Sequence, residues 1–116
     1  MRLLNIFAAL SGAFALIMLV LVSHALQLSG EDADRMQLGA FIQMFAACAG
    51  LAISNREGRL NAIAGAMILA GAAIFSGTLY ALSLTGVRSF VMLAPVGGIT
   101  LILGWIALAF STNRRA

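Results

Sequence analysis

The chain has 116 residues, of which 62% are hydrophobic and 9% charged. Water-soluble domains carry about 25% charged residues, so composition argues against a soluble fold, and the length suits one domain of four membrane crossings of ~20 residues each. The formal net charge of +3 rests on arginine alone with no basic cluster beyond Arg114-Arg115, which argues against nucleic acid as a partner and leaves the positive charge as topology information.

Charged residues fall at the two ends, in the stretches Glu31 to Arg35 and Arg56 to Arg59, and at Arg88. The charge-free intervals between them predict spans at about 3–28, 36–54, 60–84 and 90–110. The first span imitates a signal peptide through Arg2, a long apolar run and Ser23-His24-Ala25. A signal's apolar core is only ~7–15 residues, so this one reads as a retained helix. Ala8, Gly12 and Ala15 give it a small-residue face.

Ser29 to Arg35 reads as an acidic loop, in which Gly30 can end the first helix and Asp32 or Asp34 can cap the second. On the second span Gly39, Gln43, Ala46, Gly50 and Ser54 share one face. Gln43 is therefore expected to point at another helix rather than at lipid. Asn55-Arg56-Glu57-Gly58 reads as a tight turn that makes the second and third spans antiparallel neighbours.

The third span, Leu60 to Leu84, contains no charged residue, is too long and too apolar for an ordinary core helix, and carries Ala62, Ala66, Ala70, Ala73 and Gly77 on one helix face. Small residues let backbones approach closely in lipid, where dispersion rather than water drives helix association. Ala66, Ala70, Ala73 and Gly77 are thus expected to be packing residues, together with Gly12, Gly39 and Gly50 before them and Gly97, Gly98 and Gly104 after them. The fourth span follows the short turn Leu84 to Ser89 and carries Pro95 in its first turns, where a missing N–H matters least. Gly97, Thr100, Gly104, Ala107 and Ser111 form its small face, and Trp105 near the far end suits an interface anchor. With both ends cytoplasmic, Arg2, Arg56, Arg59, Arg114 and Arg115 lie inside while Arg35 and Arg88 lie outside, the arrangement that the arginine bias favours.

That topology puts His24, Gln43, Ser76, Thr78 and Tyr80 in the outer half of the bilayer, on three helices, where they can form one hydrogen-bonded cluster beneath the acidic loop. Two readings stand side by side: interhelical glue that fixes register, or a small polar pocket open to the outer face. The spans carry no carboxylate, which argues against a proton- or sodium-coupled carrier. Catalysis also finds little support, since Ser76 with His24 lacks an orienting carboxylate unless Asp32 or Asp34 reaches inward. Met44 and Cys48 at i, i+4, with His24, are soft ligands of the kind copper(I) takes, but Met and Cys are also ordinary packing residues. A single histidine argues against haem, and Gly97-Gly98 lacks the lysine of a phosphate loop. No cofactor and no metal site are expected.

Phe75-Ser76-Gly77-Thr78-Leu79-Tyr80, Leu84-Thr85-Gly86, Ala94-Pro95-Val96-Gly97-Gly98 and Gly104-Trp105 occur in an order and spacing that resemble the YgdD-like family of small multi-pass membrane proteins, domain of unknown function 423. Leu10-Ser11-Gly12-Ala13, Ser23-His24-Ala25-Leu26 and Gln43-Met44-Phe45 fit the same family more loosely, so the resemblance covers nearly the whole chain. The chain departs from the family pattern at Ile42 and Ala46, where the family has Tyr and His, and at Ala94, where it has Thr. The resemblance implies a bacterial inner-membrane location and four spans, and it implies no activity.

Residues and resemblance together predict an all-α integral membrane four-helix bundle, one transmembrane domain with both termini cytoplasmic. The leading functional expectation is a non-enzymatic structural or accessory subunit of a membrane complex, or a small homo-oligomer. Its partners are then the lipid bilayer and another membrane protein or a second copy. The alternative is a pore or carrier for a small neutral or lipid-like solute, entered through the outer polar cluster.

Overall fold

The computed structural model describes residues 2–24, 30–86 and 91–111, with the side chains of Ser23 and His24 outside that description. The fold is all-α: α1 (Arg2–His24), α2 (Gly30–Ile53), α3 (Arg59–Thr85) and α4 (Leu93–Phe110), with no strand among the described residues. All four helices are long and apolar enough to cross a bilayer. Even α4, the shortest at 18 residues, spans about 27 Å at 1.5 Å per residue. Helices satisfy their own backbone groups, which hydrocarbon cannot do for them.

The acidic stretch expected as a loop is instead the start of α2, which begins at Gly30 and not near Met36. Charge does not interrupt a helix. It only keeps that turn out of hydrocarbon. Glu31 and Asp32 lie in the first turn, next to the positive end of the helix dipole. Arg35 folds back on both, at 2.5 Å from Glu31 and 2.9 Å from Asp32, the i, i+4 and i, i+3 pairings that a helix alone provides.

Two glycines bound α3. Gly58 precedes it at φ 113° and Gly86 follows it at φ 71°, both in the region that side-chain-bearing residues avoid. The Gly86 N–H caps the helix on the Leu82 carbonyl at 2.8 Å. Between α2 and α3 the turn is short, closed by Arg56 N–H on the Ile53 carbonyl at 2.8 Å and by the Asn61 side-chain amide on the Glu57 carbonyl at 2.9 Å.

Helix α3 is the axis of the fold. It packs along its length against α2 on one side and α4 on another, while α1 lies against α2 and meets α3 only lightly. Among the described residues α4 does not approach the backbone of α1 or α2, and the molecule is a flattened body of 51 × 27 × 18 Å.

Glycines set these contacts. A Cβ on Gly71 would stand 2.6 Å from the Leu101 nitrogen and 2.9 Å from the Gly97 oxygen, and one on Gly97 would stand 2.6 Å from the Phe75 nitrogen. There α3 and α4 touch backbone to backbone. Gly104 repeats the contact against Ile68 at 2.8 Å. Gly50 meets Ala8 at 2.9 Å and Gly12 meets Ala47 at 3.4 Å, joining α1 to α2, and Gly65 lies against Leu4 at 2.7 Å. Gly39, Gly50, Gly97 and Gly104 are thus buried at interhelical contacts, and the half-buried Gly12 is at another.

The stripe expected to pack on α3 is not the one the chain's own helices use. Ala66, Ala70, Ala73 and Gly77 are exposed, and a Cβ on Gly77 meets nothing within 4 Å. Gly98 has only ordinary contact, with Phe75 at 3.8 Å. The buried set includes Ala64, Gly65, Ile68, Gly71 and Ala72 instead. The helix has small residues on nearly every face, so spacing alone does not pick the contact. The glycines of α4 pick it. Gly71→Ala is accordingly expected to lower stability by roughly 1–3 kcal/mol, the usual cost of overpacking against atoms that cannot yield. Gly77→Ala is expected to be neutral or slightly stabilising through helix propensity. Thermal unfolding of both variants in detergent measures the difference, and equal losses would contradict this assignment of faces.

Candidate functional site

A hydrogen-bonded chain crosses the three packed helices near mid-depth. The Tyr80 hydroxyl on α3 donates to Gln43 Oε1 on α2 at 2.8 Å, and Gln43 Nε2 donates to Ser11 Oγ on α1 at 3.1 Å. Tyr80 and Gln43 keep only 6% and 7% of their surface exposed. The Tyr80 ring reaches Gln43 by passing over Gly39, where a Cβ would lie 3.1 Å from Cε1. Phe14 closes over the same ring at a centroid distance of 6.0 Å and 57°. The neighbouring Ser76 hydroxyl donates to the Gly39 carbonyl at 2.7 Å, a second link between α3 and α2.

Of the five residues expected to cluster, the structure brings Gln43, Ser76 and Tyr80 together. Thr78 is buried but donates to the Ile74 carbonyl of its own helix at 2.7 Å. The His24 side chain lies outside the described residues. Ser11 takes part although the polar cluster expected from sequence omits it. The signal was present, because a buried glutamine needs partners and Ser11 is the hydroxyl nearest the middle of α1.

The cluster does not open beneath the acidic stretch. Met18 and Val22 of α1 and Met36 of α2 pack with Tyr80 into an apolar plug, with Ala33 against it, at the Gly30 end of the molecule. The earlier start of α2 explains this. Gln43 is not two turns into its helix but about 20 Å along it at 1.5 Å per residue.

The polar chain opens sideways instead. Because α1 rests on α2 and only grazes α3, a groove of about 800 Å³ runs between α1 and α3. Leu3, Leu4, Phe7, Leu10 and Phe14 form one wall, and Ala62, Ala66, Leu69, Ala70 and Ala73 form the other. Ser11 and Gln43 are the polar groups that reach it. A smaller groove of about 540 Å³ lies between α2 and α4, lined by residues that include Phe45, Cys48 and Trp105. Cys48 is a free, exposed thiol there. Among the described residues no three His, Cys, Asp or Glu side chains come together as a metal site would require.

The Tyr80–Gln43 bond can be weighed by a double-mutant cycle. Tyr80→Phe and Gln43→Leu each orphan a buried partner, so each alone is expected to lower stability by roughly 1–2 kcal/mol. The double variant removes both polar groups and is expected to recover part of that loss, giving a coupling of about 1 kcal/mol. Additive losses in detergent unfolding would mean that the two side chains do not interact.

The chain matches, over residues 10–98, the family described as "Protein of unknown function (DUF423)". It is 31% identical over 109 residues to a "UPF0382 membrane protein" of Haemophilus influenzae, covering 90% of this chain and 88% of that one. It is 29% identical over 119 residues to the "UPF0382 inner membrane protein YgdD" of Escherichia coli, covering 97% and 91% of the two chains. A "UPF0382 membrane protein" of Staphylococcus aureus is 43% identical over 53 residues, 46% of this chain and 43% of that one. No solved structure matches. The family match covers more than half of the chain, and full-length similarity to membrane proteins accompanies four membrane-length helices, so the chain belongs to the DUF423 family and is a multi-pass protein of the bacterial inner membrane.

Proposed function

We propose that the protein works without catalysis, as a binding protein for a lipid-like solute within the membrane, and that the α1–α3 groove is its working surface. One observation carries this reading: a groove of about 800 Å³ with two apolar walls and a polar floor, left open by the chain's own helices. Sites for small ligands are commonly concave, mostly apolar and fitted with a few placed polar groups. The polar groups of the floor are a hydroxyl and an amide. Such groups can hold and orient a solute, and they lack the acid–base pair that hydrolysis or proton transfer calls for.

A second reading keeps the protein as a scaffold, either an accessory subunit or a small homo-oligomer. The uncovered stripe Ala66, Ala70, Ala73 and Gly77 supports it, since small residues are what a second transmembrane helix packs against. The polar floor favours the solute. An incoming helix has its backbone already satisfied and gains nothing from Ser11 and Gln43 unless it brings a polar side chain to them.

For orientation we propose both termini in the cytoplasm, on the arginine distribution. In a Cys48→Ala background, Gly58→Cys is expected to resist an impermeant thiol reagent in intact cells and to react after the membrane is opened. Labelling in intact cells would reverse the orientation.

Filling the groove tests the function. Ala70 is exposed on the groove wall, so Ala70→Phe is expected to leave folding intact and to displace the solute. Native mass spectrometry of protein released from membranes is expected to show a small-molecule adduct on the unaltered chain and none on the variant. An adduct-free monomer in both would end the solute reading, and a higher oligomer lost on Ala70→Phe would favour the scaffold.

A further inference from the structure

We infer that the α1–α3 groove selects a lipophilic molecule bearing a hydrogen-bond acceptor, a carbonyl or ether oxygen, deep within its apolar body, and that Ser11 and Gln43 donate to that oxygen. The inference rests on the groove being the working surface proposed above and adds the chemical class of its ligand.

The donors are surplus. Gln43 spends one amide hydrogen on Ser11 and its carbonyl oxygen on Tyr80. Its second amide hydrogen has no acceptor among the described residues, and neither does the hydroxyl hydrogen of Ser11, which accepts from Gln43 but donates to nothing described. Serine inside a helix ordinarily returns its hydrogen to the carbonyl one turn back, as Thr78, Thr85 and Thr100 do here. Ser11 does not, and it borders the groove. Two unspent donors therefore meet in an otherwise apolar cleft, where an acceptor is worth more than in water.

Depth narrows the class. Ser11 lies about 13 Å along α1 from Arg2, and Gln43 about 15 Å from the Ile53 end of α2, at 1.5 Å per residue. Both are near the middle of a hydrocarbon layer ~30 Å thick. The ester carbonyls of phospholipids sit at the edges of that layer, and acyl chains carry no acceptor at its centre. An ordinary lipid lying in the groove leaves both donors unpaired. A molecule with oxygen along an apolar skeleton does not.

The test uses a long-chain methyl ketone and the alkane of equal length as probes, with the full protein in nanodiscs. The ketone is expected to bind about five- to tenfold more tightly, equivalent to roughly 1–1.4 kcal/mol for one hydrogen bond. Its carbonyl stretch in the infrared is expected to shift to lower frequency on binding. The apolar replacement Ser11→Ala/Gln43→Leu/Tyr80→Phe removes the whole polar chain at once and leaves no orphan partner. It is expected to lose the ketone's advantage over the alkane and the infrared shift. Equal binding of the two probes by the unaltered protein, with no infrared shift, would overturn the inference and leave the groove as a site for plain hydrocarbon. An advantage that survives the triple replacement would overturn it too. Failure of both probes to bind would instead remove the groove reading beneath it. The infrared shift in the unaltered protein decides the matter even where the triple variant fails to fold.

Discussion

Gln43 cannot be left alone in hydrocarbon. An unpaired amide moved from water to an apolar medium costs roughly 2–7 kcal/mol, comparable to the whole stability of a small domain. Its two bonds, to Tyr80 at 2.8 Å and to Ser11 at 3.1 Å, are therefore conditions on the fold as much as contributions to it. They fix the height of α1 and α3 against α2. A one-turn slide of either helix moves its partner about 5.4 Å and breaks the bond. The rest of the α1–α2–α3 packing is consistent with that register. Gly39 makes room for the Tyr80 ring, Ser76 finds the Gly39 carbonyl, and Met18, Val22 and Met36 close one end.

The attachment of α4 rests on different physics. Among the described residues no side-chain hydrogen bond joins α4 to the other helices; the Thr100 hydroxyl and that of Ser111, just past the end of α4, turn back to its own backbone. Contact between Gly71 and Gly97 replaces polar registration with close backbone approach, where many weak dispersion contacts add up. Most of the rest of α4, from Val96 to Phe110, faces outward with large apolar side chains. In a bilayer such a surface is suited to lipid.

Much of this was legible in the sequence. Four apolar intervals separated by arginines and a tight turn at Gly58 mark the helices and their order, because hydrocarbon thickness and the lack of water leave few alternatives. Gln43 announces an interhelical contact by being polar among small residues. What stayed hidden is rotational. On α3 the faces through Ala66 and Gly77 and through Gly65 and Gly71 are equally small, and only the position of α4 separates them. The extent of α2 was hidden for another reason. Glu31, Asp32 and Arg35 look like a loop when charge is taken as a boundary, whereas their spacing is that of helical ion pairs. That six-residue difference in helix start also sets more than a further turn of α2 beyond the polar cluster, where Ala33 and Met36 help to close it, and so changes the direction in which the cluster opens.

The groove follows from how these two modes of attachment are distributed. Helix α1 is held almost wholly by α2, through Gly50 against Ala8, Gly12 against Ala47 and the Gln43–Ser11 bond. Helix α3 is held by α2 and α4 and gives α1 little. The cleft between α1 and α3 is therefore kept open by contacts that lie outside it, on the α2 faces of both helices. On its walls Ala66, Ala70 and Ala73 are exposed and carry little of the fold, whereas Leu4 and Leu69 also pack against the Ile53–Ile68 core and Phe14 against the Tyr80 ring. That alanine stripe can be altered or covered while the scaffold stands. Ser11 and Gln43 face the cleft and also hold the helices through hydrogen bonds, so at these two positions binding and packing act through the same polar atoms.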